Sequence, residues 1–300
     1  KWCGAIHALG ATVVVLETFD AEAALAAIQT HRVTITQMVP TMFVRLLQLP
    51  ARVRDSYDTS SLRLVVHAAA PCPPEVKTAM IDWWGPILVE YYSATEQHGT
   101  TIITTPEWLQ KRGSVGKSAL GPVHICDDDG VELSAGEVGL VYFEREVRPF
   151  SYHKDPEKTK AAEHPEHSNW TTVGDLGYVD GDGYLFLTDR KAFMIISGGV
   201  NIYPQETENV LTLHPKVFDV AVIGVPDAEM GQQVKAVVQL KEGITPSDDL
   251  AAEIIDYSRE RIAHFKAPKS VDFVDELPRT ATGKLVKREI EKRYLAESKA

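Results

Sequence analysis

LRLVVHAAAPCPPEVKTAMIDWWGPILVEYYSATE, residues 62–96, holds two short apolar runs on either side of a helical pattern. LRLVVHAAA (62–70) and ILVEYYSATE (87–96) read as strands, and PCPPEVKTAMIDWW (71–84) as the helix between them. The same cycle extends upstream. ATVVVLE (11–17) reads as a buried strand, DAEAALAAIQTH (20–31) as a helix capped by Asp20, VTITQMV (33–39) as a strand, and PTMFVRLLQL (40–49) as a helix with Pro40 in its first turn. Four strands joined by three helices imply a parallel sheet covered on both faces, because parallel neighbours need crossover connections. In such sheets ligands lie beyond the carboxyl ends of the strands. HAAAP (67–71) and YYSATE (91–96) are therefore expected beside a site.

The pattern changes after residue 110. GSVGKSALGPVHICDDDG (113–130) and GEVGLVYFE (136–144) alternate as strands do, with Asp-Gly turn signals, and SYHKDPEKTKAAEHPEHSNW (151–170) reads as helix and loop. GYVDGDGYLFLTDRK (177–191) has a hairpin pattern. Beyond it a helix opened by Tyr203-Pro204, strands VFDVAVIGV (217–225) and VKAVVQL (234–240), a helix from about Ser247 to His264 and strand SVDFVDE (270–276) form a small α+β unit. The fold class is thus α/β: a parallel βα-repeat sheet with a β-rich segment, then a small α+β domain. The boundaries expected are 1–188 for the large part, 189–191 for a hinge and 192–300 for the small domain.

Composition narrows the function. Of 300 residues, 44% are hydrophobic and 24% charged, which is ordinary for a soluble protein, and no apolar run approaches the roughly 18 residues of a membrane span. A net charge of −11 argues against nucleic acid or an anionic membrane as the main partner. Cys3, Cys72 and Cys126 are scattered without CxxC spacing, which fits a reducing, cytoplasmic compartment. The opening KWCGAIHALG passes straight into fold-like sequence, as if the chain began inside a larger protein.

Several motifs fail when tested. Gly283-Lys284 ends like a phosphate loop, but Pro278 and Leu285 stand where that motif needs glycine and Ser or Thr. The DGDG turn is no calcium loop, since Tyr184 and Lys191 occupy ligand positions. His164, Glu166 and His167 lie in a polar loop without further ligands, His67 at a strand end suits a structural role, and a GxSxG elbow is missing.

Four segments together carry a resemblance: HAAAP, YYSATE, VGDLGYVDGDGYLFLTDRKAFMIISGGVNIYP (173–204) and PRTATGK (278–284). In order and spacing they resemble the adenylate-forming enzymes, which include acyl-CoA synthetases, luciferases and peptide-synthetase adenylation domains. The likeness covers essentially the whole chain, and IISGGVNIYPQE is most similar to fatty-acyl-CoA ligases. It implies ATP- and Mg²⁺-dependent activation of a carboxylic, expectedly fatty, acid to acyl-AMP and then, with coenzyme A, to acyl-CoA. By position it implies that Ala69, Ala70 and Tyr92 flank adenine, Tyr91 borders the acyl pocket, Thr95 meets phosphate and Glu96 holds magnesium. Asp175 would bind the ribose hydroxyls, with Arg190 assisting at ribose and phosphate. Asp189 would be the hinge, and Gly198 and Gly199 would line the pantetheine channel. Lys284 would bridge the acyl carboxylate and the α-phosphate, a point charge between two anions, and then withdraw as the small domain rotates.

The chain also departs from the family. The Ser/Thr/Gly-rich phosphate loop ending Pro-Lys-Gly is not in it, Ser93 replaces a common glycine, Val173 a common threonine and Ala192 a common lysine. Two other readings stay open at this level: a fatty-acyl-AMP ligase that loads a carrier protein, and a catalytically silent fragment that binds nucleotide or a partner.

Overall fold

The computed structural model describes residues 2–280 and 285–297. The chain divides into two compact units, Lys1–Tyr91 with Ile103–Arg112, and Tyr92–Ile102 with Gly113–Ala300.

The first unit is built on three parallel strands, Ile35–Met38, Leu64–His67 and the strand that begins at Leu88. Their register pairs Met38 with His67 and His67 with Glu90, so the first two strands end level and the third runs on past them to Ser93. Asp20 caps the helix Ala21–His31 by accepting from the Ala23 N–H at 2.7 Å, as the sequence implied. The crossover helix Pro74–Trp84 buries Val76, Lys77, Met80, Ile81 and Trp84, one face of its cylinder. Leu25, Phe43, Leu46, Val65, Met80, Leu88 and Trp108 fill the core around it. The expected strand at 11–17 is not formed. Residues 11–16 have no regular structure, and Val14, Val15 and Leu16 are 39%, 74% and 42% exposed. Valine runs favour extended backbone chiefly where a neighbouring strand accepts their ladder bonds, and no described strand pairs there.

One position on the crossover helix is unexpected for a buried face. Lys77 is fully buried and its Nζ lies 2.6 Å from Glu90 Oε2, while His67 packs edge-on against Phe43 with its Nε2 3.7 Å from the same carboxylate oxygen. Burial, and then the Lys77 charge, hold the His67 imidazole well below the usual histidine range. The unfolded chain therefore binds a proton that the folded chain refuses, and stability falls as pH drops below the ordinary histidine value. Denaturation at stepped pH should show a loss of up to about 1.4 kcal/mol per pH unit in excess of that in a His67→Gln variant. Parallel pH profiles for the two proteins would contradict this.

Among the described residues, two sheets lie wholly within the second unit. In one, strands Leu185–Arg190, Asp175–Val179, Gly139–Glu144 and Val123–Cys126 run antiparallel in that order, around Val115, Ile125, Val141, Phe143 and Leu185. The other centres on the long hairpin Val217–Asp227 and Gly231–Leu240, whose alternation sends Val220 and Val222 to one face and Ala221 and Ile223 to the other. Leu211 of the helix Pro204–Leu211 and Ile254 of the helix Asp248–Arg259 pack on the first face, and Ile290 of the helix Lys287–Glu297 on the second. This is the α+β arrangement that the sequence pattern implied.

Candidate functional site

At the end of its strand, the chain enters the second unit at Tyr92 and turns through Ala94–Gln97 before Thr100–Thr104. Gln97 takes φ +57°, a left-handed conformation uncommon outside glycine. Ser93 closes the turn: its hydroxyl donates to the Gly99 carbonyl at 2.8 Å, and Thr100 Oγ1 donates to Ser93 Oγ at 3.2 Å. A serine in place of glycine thus acquires a local purpose. Gly99 itself cannot grow, because an added Cβ would lie 2.0 Å from the Phe143 ring.

Asp175 opens its strand directly after Gly174, whose φ of +85° turns the chain. The register sets Arg190 opposite Asp175 across the hairpin. Asp175 is buried, 7% exposed, and both of its oxygens are engaged: Tyr92 donates its hydroxyl to Oδ2 at 2.5 Å, and Arg190 Nε lies 3.0 Å from Oδ1. Burial, and then the Asp175 carboxylate, push the Tyr92 phenol well above the usual tyrosine range, which keeps it a donor. An ionised carboxylate has roughly four acceptor positions, so two contacts leave capacity for a pair of vicinal hydroxyls.

Glu96 stands on the same turn, half-buried, and accepts a 3.0 Å hydrogen bond on Oε1 from the Tyr152 hydroxyl. Burial, and then Glu96, push the Tyr152 phenol up to about 12. Thr95 is exposed beside it. His98 lies under the turn, fully buried, edge-on to Phe143 at 4.9 Å and to Tyr92 at 6.1 Å. Burial pushes its imidazole down to about 4 against the opposing pull of Asp175 and Glu96, so it packs as a neutral ring.

The remaining expected residues fall as follows. In the first unit, Ala69 and Ala70 are exposed just past the strand Leu64–His67, and Ala69 holds φ +77°. Backbone strain of that kind costs of order 1–3 kcal/mol and gathers at functional sites. Tyr91 accepts from Gln37 Nε2 at 3.2 Å. In the second unit, Asp189 accepts from the Gln205 N–H at 2.9 Å and so caps the helix Pro204–Leu211, a contact that the sequence did not reveal. Gly198 and Gly199 take φ of +56° and +79° in the turn between Ile195–Ser197 and Val200–Ile202. Lys284 lies outside the described residues, but the residues flanking 281–284 do not. Arg279 bridges to Leu285, its guanidinium holds both oxygens of Asp219 at 2.7 and 2.8 Å, and Lys287 Nζ lies 2.7 Å from the buried Glu208.

Comparison with known proteins gives the same family. Residues 2–146 match the model of the AMP-binding enzymes and residues 206–284 that of the AMP-binding enzyme C-terminal domain. Feruloyl-CoA synthase of an Amycolatopsis species is 38% identical over 287 residues, 95% of this chain and 57% of the relative. Long-chain-fatty-acid–CoA ligase of Bacillus subtilis is 34% identical over 284 residues, 94% of this chain and 49% of the relative. The crystal structure of the anthranilate CoA ligase AuaEII in complex with anthranoyl-AMP superposes with a TM-score of 0.81 at 31% identity, covering 96% of this chain and 56% of that one. The chain belongs to the AMP-binding, adenylate-forming enzymes. It spans about half the length of the curated relatives it matches.

Proposed function

We propose that this chain is the part of an acyl-CoA ligase that holds the adenylate and completes the thioester. The observation that carries the reading is the Tyr92–Asp175–Arg190 constellation, with Glu96 on the adjoining turn, in a chain matched to both domains of the AMP-binding enzymes. Asp175 takes the two ribose hydroxyls with its spare acceptor capacity, and the Tyr92 ring flanks adenine; by family position Ala69 and Ala70 share that role. Arg190 supports ribose and phosphate. Glu96 suits a hard divalent cation, since Mg²⁺ commonly takes one or two carboxylates and completes its shell from substrate phosphates. When bound, Mg²⁺ would offset phosphate charge; Thr95 meets a phosphate oxygen beside it. Lys284 lies between the acid and the α-phosphate in the first step, and residues 189–191 serve as the hinge between a large part, 1–188, and a mobile domain, 192–300. In the second step Gly198 and Gly199 border the pantetheine of CoA.

The acid is a carboxylate with an apolar body lying near Tyr91. Fatty acids are one such class and aryl acids another: the relatives are named for ferulate and for long-chain fatty acids, and the structural neighbour holds an anthranoyl adenylate.

The test is titration of the full-length protein with a non-hydrolysable acyl-AMP analogue. Asp175→Ala should weaken binding about 10- to 100-fold, the worth of charge-assisted hydrogen bonds to two hydroxyls. Equal affinity in the variant would remove Asp175 from the nucleotide site.

A further inference from the structure

The polar stretch 151–170 gave no functional signal in the sequence, yet one of its residues touches the candidate metal ligand. Tyr152 donates its hydroxyl to Glu96 Oε1 at 3.0 Å across 56 residues of chain. Its own position is fixed from several sides. The Tyr152 N–H donates to Thr159 Oγ1 at 2.9 Å, Phe150 packs edge-on at 5.4 Å, and Lys158 Nζ lies 3.9 Å from the ring centroid. Thr159 in turn donates to the Asp155 carbonyl, and Asp155 caps the helix Pro156–Ala161 by accepting from the Lys158 N–H. The phenol therefore stands on a loop tied to a capped helix. From the other side of the turn, Arg145 Nη1 donates to the Gln97 carbonyl at 3.3 Å, while Arg145 exchanges backbone and side-chain contacts with Asn169.

We infer that Tyr152 is a positioning residue for Glu96: its hydroxyl fixes one carboxylate oxygen, so that the other is presented to a divalent cation. The inference rests on the proposed role of Glu96 as metal ligand. Hydrogen-bonding partners one shell out from a metal orient the ligating group, and their loss typically weakens metal binding 10- to 100-fold. The free energy of ordering a half-exposed glutamate is supplied here by the protein before the metal arrives.

The test uses the full-length protein with Mn²⁺ as the probe, its binding followed by electron paramagnetic resonance in the presence of a non-hydrolysable ATP analogue. Tyr152→Phe keeps the ring and its packing and should weaken Mn²⁺ binding about tenfold or more. Its thermal unfolding midpoint should stay at the wild-type value, and the metal concentration for half-maximal rate should rise more than kcat falls. Thr159→Val keeps the phenol but loosens its loop, and should give a smaller loss in the same direction. Wild-type Mn²⁺ affinity in both variants, with Glu96→Gln impaired, overturns the inference and leaves the proposed metal site standing. Wild-type affinity in Glu96→Gln as well overturns the metal site and the inference together.

Discussion

Lys77→Met is expected to destabilise the protein by about 3–5 kcal/mol at neutral pH. Lys77 and Glu90 are each buried to within a few per cent, their charged atoms 2.6 Å apart, and the ammonium also lies 4.8 Å from the Trp108 ring centroid. Removing the cation leaves a carboxylate in an apolar core, and that uncompensated charge costs more than the ion pair contributed. Burial already raises the Glu90 carboxyl above its ordinary range even with Lys77 present. Without Lys77 it should hold a proton more readily, so the penalty should shrink as the solution is acidified. The double replacement Lys77→Met with Glu90→Leu should recover most of the loss, because well-packed apolar residues often match a buried pair. Urea denaturation measures all three proteins. A single variant within about 1 kcal/mol of wild type, or a double variant no better than the single, would contradict the account. Against a usual total of about 5–15 kcal/mol the effect is large. Glu90 immediately precedes Tyr91 and Tyr92, and His67, opposite it in the strand register, lies two residues before Ala69, so the pair is close in sequence to residues of the proposed site.

The second large effect concerns Lys284. Lys284→Ala is expected to slow acyl-AMP formation by about 10²- to 10³-fold, the range for losing one group aimed at developing charge. Attack of CoA on supplied acyl-AMP should fall less than tenfold, since in the proposed cycle Lys284 has left by then. Lys284→Arg should not restore the first step, as a broad guanidinium fork does not replace a compact ammonium between two anions. On either side of residues 281–284, Arg279 holds Asp219 of the strand Val217–Asp227 and Lys287 holds Glu208 of the helix Pro204–Leu211. Equal losses in both half-reactions would show that Lys284 serves binding in general and not the adenylation step.

Much of the fold was legible because its signals are local. The strands at 35–38, 64–67 and 88–93 and the helix 74–84 follow from periodicity, and the cap at Asp20 from residue type. The run at 11–17 failed for the complementary reason: strand propensity needs a partner, and a partner is not a local property. The site divides along the same line. Motifs pointed to Tyr92, Glu96, Asp175 and Arg190 one at a time, whereas the hydrogen bond that joins Tyr92 to Asp175 spans 83 residues and leaves no periodic trace. Tyr152, Lys77 and the capping role of Asp189 were illegible for that reason. A tyrosine in a polar loop and a lysine on a helix look solvated until the chain is folded around them.

The most direct test of the central claim is product analysis of the full-length protein supplied with ATP, Mg²⁺, CoA and a panel of fatty and aryl acids. The account predicts AMP and a CoA thioester in equal amounts, each dependent on the acid. Release of ADP in place of AMP, or AMP formation whose acyl group passes to a carrier protein and never to CoA, would contradict it.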